Sequence, residues 1–258
     1  MRYREKCTTT HPKRASYDVQ RSLQLVTSDL MGPIVPEALG GFRYANKFVD
    51  HHTRWAEIVH LKTKEDTVDS LQLFVQTSLI PDGWRLQRVK TDKGTENTAL
   101  AFRKYFREIG VKLECASVST PQQIVANERI GRTLFGVVRC LLADSGLPHF
   151  LGGELIQTAV YVRNRVPHSA MSNVTPYKTL HGKETSLGHL RAIGASAFVH
   201  VETRTRKLEP RAWEKRLVGY SMDSKSFRIY NPEKRNVRKS RNVISRRRPS
   251  CVNRTWTR

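Results

Sequence analysis

The sequence predicts an α/β protein in which a mixed strand-and-helix region is followed by a small β-rich domain. Three observations predict it. Apolar residues alternate with polar ones in several short runs of the first half, the period of a half-buried strand. Other runs repeat apolar residues every three or four positions, the period of an amphipathic helix. Beyond about residue 186 only short strand-like runs separated by polar turns remain.

Each element has its own signal. Leu23 to Leu30 alternates and ends at the turn signal Met31-Gly32-Pro33. Gly40-Gly41 supplies a bend before two strands, Tyr44 to Asp50 and Trp55 to Leu61, joined by a polar turn. From Glu65 to Leu79 the residues Val68, Leu71, Val75 and Leu79, with Phe74, predict a helix. The run LQRVKTD is a short strand, and Phe102, Tyr105, Phe106 and Ile109 mark a helix over Thr98 to Ile109. VKLECAS returns as a strand. A helix from about Ala126 to Ser145 turns Ile130, Leu134, Val137, Val138 and Leu141 inward and stops before Gly146 and Pro148. Another runs from about Phe150 to Arg165 into a proline-rich connection. After a boundary near Thr185 to His189, ASAFVHV, KRLVGYS, SFRIYNP and NVISR are the strands of the second domain.

Charge narrows the function. The 258 residues hold 45 Lys and Arg against 23 Asp and Glu, a formal net charge of +22. Thr203 to Arg258 alone holds 18 basic and 4 acidic residues, so most of the excess sits at one end. Such a skew points to a polyanionic partner, nucleic acid before membrane, because no basic amphipathic helix with an aromatic face stands out. A solvated basic surface is the plainer alternative. No run of about 18 apolar residues occurs, and the first residues lack the apolar stretch of a secretory signal, so the chain reads as soluble and intracellular. Cys7, Cys115, Cys140 and Cys251 form no Cys-x-x-Cys pair; neither a disulfide framework nor a closed zinc site is expected, and Cys115 and Cys140 read as core thiols.

Three carboxylates stand out in this basic chain. Asp29 and Asp92 end strands, Glu128 opens a helix, and 35 residues separate the last two. Strand ends and the first turn of a packed helix can meet at one sheet edge. Three carboxylates brought together repel unless divalent cations neutralise them, and hard oxygen ligands suit Mg²⁺ or Mn²⁺. Two such ions can activate an attacking oxygen and stabilise a leaving one in phosphoryl transfer. Each residue also has a plainer reading. Asp29 can open a turn, Asp92 can cap one, and Glu128 can pair with Arg132 one turn on for about 0.2 to 0.5 kcal/mol.

The segments LVTSDLMGPI, GGFRYANKFVDHHTRW, VKTDKGTEN, STPQQIVANERIGRT, LPHFLGGELIQTAVYVRNRVPHSAM and TPYKTLHGKETSLGHLRAIGASAFVHV resemble, in order, those of copia-type LTR retrotransposon integrases over about Leu23 to Ser245. The resemblance implies an RNase H-like mixed-sheet catalytic core over 20–185, a β-rich basic C-terminal domain over 186–246 and a basic tail over 247–258. Residues 1–19 would be the remnant of an N-terminal zinc module and its linker. It implies 3′-end processing and strand transfer of element DNA into target DNA by Asp29, Asp92 and Glu128, which would hold two Mg²⁺ or Mn²⁺ ions. Double-stranded DNA, comprising LTR ends and target, would be the partner of a homo-oligomer acting in the nucleus. The alternative is a decayed or repurposed copy that only binds DNA.

The chain also departs from that pattern. Lys93 stands in the place of an Asn, before Gly94, Thr95, Glu96 and Asn97. Ile124-Val125 replaces an Asn-Gly pair, and two β-branched residues would stiffen a loop ahead of the Glu128 helix. Cys7, Arg14 and Tyr17 resemble the tail of the zinc module, but Arg4 stands where its other Cys would be. No structural zinc is therefore expected, and His11, His51 and His52 read as surface or turn histidines. Lys90, Arg132 and Arg139 near the carboxylate edge are candidate phosphate contacts, with Gln122 and Gln123 as orienting groups. In the second domain the candidates are Arg204, Arg206, Lys207, Lys215, Arg216, Lys234, Arg235, Arg238, Lys239 and Arg241.

Overall fold

The computed structural model describes residues 19–79, 83–91, 99–115, 121–168, 171–200, 212–222, 225–241 and 243–246. Two five-stranded sheets organise them. The first is built from β1 (Leu25–Met31), β2 (Tyr44–Asp50), β3 (Ala56–Leu61), β4 (Arg88–Thr91) and β5 (Lys112–Cys115), in the order β3-β2-β1-β4-β5. β1, β2 and β3 run antiparallel to one another, whereas β4 and β5 join parallel to β1. Hairpins suffice for the antiparallel half, while each parallel neighbour needs a helical crossover. α1 (Thr67–Phe74) and α2 (Ala99–Glu108) supply them. This is the mixed sheet expected of an RNase H-like core.

Strand alternation sorts the two faces. Val26, Phe48 and Val89 pack with Leu71 and Phe74 of α1 and Phe106 of α2. Ser28, Asn46 and Ser70 tie β1, β2 and α1 together on that side, with Ser28 Oγ donating to Asn46 Oδ1 at 2.9 Å and Asn46 Nδ2 to Ser70 Oγ at 2.8 Å. On the opposite face Met31, Ala45 and Val49 pack against Leu134 and Val138 of α3 (Pro121–Ser145) and Leu155, Ile156, Ala159 and Val160 of α4 (Gly152–Arg163). Asp29 and Lys47 share the strand parity of Met31 and of Ala45 and Val49, so both belong to the α3 side.

The second sheet has the order β10-β6-β7-β8-β9, all antiparallel, from β6 (Ser196–His200), β7 (Ala212–Tyr220), β8 (Phe227–Asn231), β9 (Asn236–Ser240) and β10 (Val243–Arg246). It docks on α4. Val218 and Tyr230 join the apolar cluster of α3 and α4, and Thr158 Oγ1 donates to the Val218 carbonyl at 2.7 Å. Arg228 grips Glu154 through Nε at 2.7 Å and through Nη2. Tyr161 stacks on Tyr220 with ring centres 4.9 Å apart. At the far end of α4, Asn164 is fully buried: the Ala56 N–H donates to its Oδ1 at 3.0 Å, and its Nδ2 donates to the Ala56 carbonyl at 2.8 Å.

Several sequence expectations need correction. The first helix is shorter than Glu65 to Leu79, because its α-helical part is α1 and Val75–Leu79 forms a π-helical turn. α3 begins at Pro121 rather than near Ala126, since proline's fixed φ suits the first helical position. Ile124-Val125 thus lie within the helix and stiffen no loop; a Gly there would cost about 1 kcal/mol relative to Ala. Cys140 and Val137 are exposed rather than buried. α3 turns Leu134 and Val138 inward, and Cys140, two residues on, falls about 200° round the helix. Before α4, His149–Leu151 is a 3-10 turn.

Two elements escaped the pattern reading: α5 (Pro176–His181) and β9. α5 carries complete end signals, with Thr175 Oγ1 accepting from the Lys178 N–H at 3.1 Å, Pro176 at the first helical position and Gly182 left-handed at the end.

A Cβ built on Gly219 would lie 2.1 Å from Thr158 Oγ1, at the contact between α4 and β7. Gly219→Ala is expected to lower unfolding stability by about 1 to 3 kcal/mol in urea denaturation. Its cost shrinks in a Thr158→Ala background, a coupling that a double-mutant cycle reads directly.

Candidate active site: a carboxylate edge closed by a lysine

The antiparallel ladder between β1 and β2 sets Asp29 directly opposite Lys47. Lys47 Nζ donates to Asp29 Oδ2 at 2.8 Å; the lysine side chain has no exposed surface, and the Asp29 side chain is 31% exposed. A buried ammonium is tolerated only beside an opposite charge or several acceptors. Lys47 is held below the ordinary lysine range, first by burial. Attraction to Asp29 opposes that shift, Arg163 adds to it by repulsion, and Glu128 opposes it.

Glu128 comes from α3 and is exposed. One turn on, Gly131 brings that helix down over the sheet: a Cβ on it would lie 3.5 Å from both Lys47 Nζ and Met31 Sδ. Residues three apart lie on one side of a helix, so Glu128 sits along the side that approaches Lys47. Asp29 is thus paired with the Lys47 ammonium, and Glu128 lies near enough to act on the same ammonium electrostatically. Asp29 lies within β1, two residues before its end, rather than at a turn. The β1–β4 ladder runs to Ser28 and Thr91; Asp92, the next residue, lies outside the described residues, as do Lys93 to Asn97. Among the described residues no group of three or more His, Cys, Asp or Glu is placed to hold a metal ion.

Sequence reasoning missed Lys47. A signal was present, because Ala45, Lys47 and Val49 share one strand face and a charge between two apolar residues facing a core needs a partner. The register supplies Asp29.

The candidate phosphate contacts divide sharply. Lys90 is buried, at 7% exposure, among the described residues. It lies on β4 within the influence of Glu114, and burial holds its ammonium below the ordinary range. Arg132 and Arg139 are exposed along α3. In the second sheet Lys234, Arg235, Arg238, Lys239 and Arg241 are exposed around β9, and Arg235 also lies over the Phe150 ring at 4.9 Å. Lys215 is half-buried and bonds Asn231 Oδ1 at 2.9 Å and Glu233 Oε2 at 3.2 Å. Arg216 donates to Ser196 Oγ at 3.3 Å. Arg204, Arg206 and Lys207 lie outside the described residues, as do Cys7, His11, Cys251, the 247–258 tail and the side chains of Cys115, Gln122 and Gln123.

A second basic group gathers behind β2. Arg163 is pulled down to about 10 by burial and then by Arg54, whose backbone carbonyl it holds at 2.7 Å. His51 does occupy a turn, but burial, with Arg54 and Lys90 adding repulsion, lowers it to about 4; its Nε2 is buried without a hydrogen-bond partner among the described residues. The unfolded chain protonates this residue near pH 6.5 and the folded chain only near pH 4. The unfolded state then binds more protons in that window, so stability is full above about pH 6.5 and falls as pH drops towards about 4. Denaturation at pH 7 and pH 5 is expected to show this loss, and His51→Gln to reduce it while His60, His168 and His189, also lowered by burial, keep the remainder.

Comparison with known proteins places the chain in a lineage. Residues 195–250 match the family described as the retroviral polymerase SH3-like domain. The chain is 34% identical over 225 residues, 87% of its length, to the "Retrovirus-related Pol polyprotein from transposon TNT 1-94" of Nicotiana tabacum. It is 26% identical over 211 residues to the Pol polyprotein from transposon RE2 of Arabidopsis thaliana. The chain spans 17% and 14% of the lengths of those two relatives. A chain from the simian T-cell lymphotropic virus intasome in complex with PP2A regulatory subunit B56 gamma shares the fold, with a TM-score of 0.52 at 13% identity. That match covers 90% of this chain and 82% of the viral one. With 34% identity to the tobacco relative over 87% of its length, the chain belongs to the retrovirus-related Pol polyproteins of copia-type transposons.

Proposed function

We propose that this integrase-like fragment binds double-stranded DNA, both element ends and target, through the exposed cations of α3 and the second sheet. The observation that carries the reading is the placement of exposed basic side chains. Arg132 and Arg139 line the helix that bears Glu128, and Lys234, Arg235, Arg238, Lys239 and Arg241 surround the edge strand β9. Cations spread over an exposed edge contact phosphates without reading sequence, and they release counterions as they do so. Arg204, Arg206 and Lys207 extend the same basic segment in the sequence.

Two readings differ in the fate of the bound DNA. In the first, Asp29, Asp92 and Glu128 are the carboxylates of 3′-end processing and strand transfer, with Mg²⁺ or Mn²⁺ as cofactor and a homo-oligomer as the working form. In the second, this copy holds DNA without cutting or joining it. The second is favoured by a specific observation: one Asp29 carboxylate oxygen, Oδ2, already accepts from the Lys47 ammonium at 2.8 Å. Among the described residues the donors do not fit a divalent metal, since the Asp29 carboxylate is already paired with an internal ammonium.

Fluorescence anisotropy with a short duplex tests binding. Affinity is expected to fall steeply between 50 and 200 mM salt, and replacing Arg238 and Lys239 by Gln should reduce the salt slope by about 1 per lost phosphate contact. Affinity indifferent to salt sinks the DNA reading. Strand transfer with duplexes resembling LTR ends, in Mn²⁺ or Mg²⁺, separates the two readings. Product above that of Asp92→Asn establishes transfer, whereas salt-sensitive retention with equal, background product in both establishes binding alone.

A further inference from the structure

We propose that Lys47 is a resident cation of the carboxylate edge, its ammonium taking the place on Asp29 that a divalent ion would need, so that this copy excludes metal there. The inference rests on the reading that the chain is integrase-like and holds DNA without transfer.

The placement of Lys47 is a product of the fold. Asp29 and Lys47 are direct partners in an antiparallel ladder, on central strands of the sheet, so their backbones fix the pair. Both side chains belong to the face covered by α3. The lysine side chain is wholly buried, so its head has no route into water along which it could retreat before an incoming ion. From above, α3 closes the site at Gly131, where even a methyl group would reach contact distance of Lys47 Nζ. Among the described residues, the charged groups acting on the ammonium include Asp29, Arg163 and Glu128. Two of them are the carboxylates expected to bind metal.

A divalent ion placed on Asp29 would meet this ammonium at short range within the protein, where like charges are poorly screened. Removing the ammonium reverses the balance. Asp29 is then left with an unneutralised charge beside a space of lysine shape within the electrostatic reach of Glu128, which suits a small hard cation with oxygen ligands.

The test uses Mn²⁺ alone, without DNA, followed by electron paramagnetic resonance and thermal unfolding of the full chain. The parent is expected to show no saturable Mn²⁺ binding at this edge and no Mn²⁺-dependent rise in Tm. Lys47→Met, which keeps the volume and removes the charge, is expected to bind Mn²⁺ at least about tenfold more tightly than the parent. Its Tm should rise with Mn²⁺, and both responses should vanish in Lys47→Met combined with Asp29→Asn. Should Lys47→Met be unfolded without metal, Mn²⁺-dependent refolding of the single but not the double variant supports the proposal, and refolding of neither overturns it. Equal Mn²⁺ affinity in parent and Lys47→Met also overturns it. Duplex retention measured on the same samples keeps the functional reading separate: its loss from the parent sinks that reading and leaves the metal result standing.

Discussion

A buried ammonium governs the organisation of the first sheet. Lys47 lies on a central strand, between two apolar residues, where an isolated cation would be driven out or neutralised. It stays because the register of β1 and β2 delivers a carboxylate to it, and a slip of one residue would turn the lysine to the other face and leave both charges stranded. The ion pair therefore specifies register as well as satisfying charge. It also determines how the chemistry of this edge is to be read, because the same carboxylate cannot serve an internal ammonium and an external ion at full strength.

The second sheet depends on the first through one helix. α4 packs one side on β3 and the apolar cluster behind β1 and β2, and offers the other to β7 and β8. Its polar residues are divided accordingly: Thr158 and Glu154 hold the second sheet, while Gln157 donates to Nδ1 of His60, whose Nε2–H donates to the Gly153 carbonyl at 3.0 Å. With both ring nitrogens committed and burial lowering its proton affinity, His60 is a neutral structural group. The basic strands are thereby anchored to the core that carries Asp29 and Glu128.

How much of this was legible depends on what burial does to each residue's signal. The strands of the antiparallel half announced themselves through alternation, and the long helix through Leu134 and Val138. β9 did not, because its Asn-Val-Arg-Lys-Ser run lies at a sheet edge where charged side chains are tolerated, and no apolar period survives. α5 is too short for a period, although its caps are plain in Thr175, Pro176 and Gly182. Charge counting identified the basic surface but could not separate Lys90, which faces inward, from Arg132 and Arg139, which face solvent. The largest omission was Lys47: a lysine reads by default as solvated, and only pairing across strands shows that it lies opposite an aspartate.

Asn164 has a consequence beyond the packing of α4. Its amide presents one donor and one acceptor to the Ala56 backbone in the manner of a neighbouring peptide unit, at the outermost strand of the sheet. A foreign extended segment approaching β3 would find its first rung already occupied by a side chain that cannot be extended into a further strand. This single amide thus closes the outer edge of β3 at Ala56, where a further strand finds no free backbone pair.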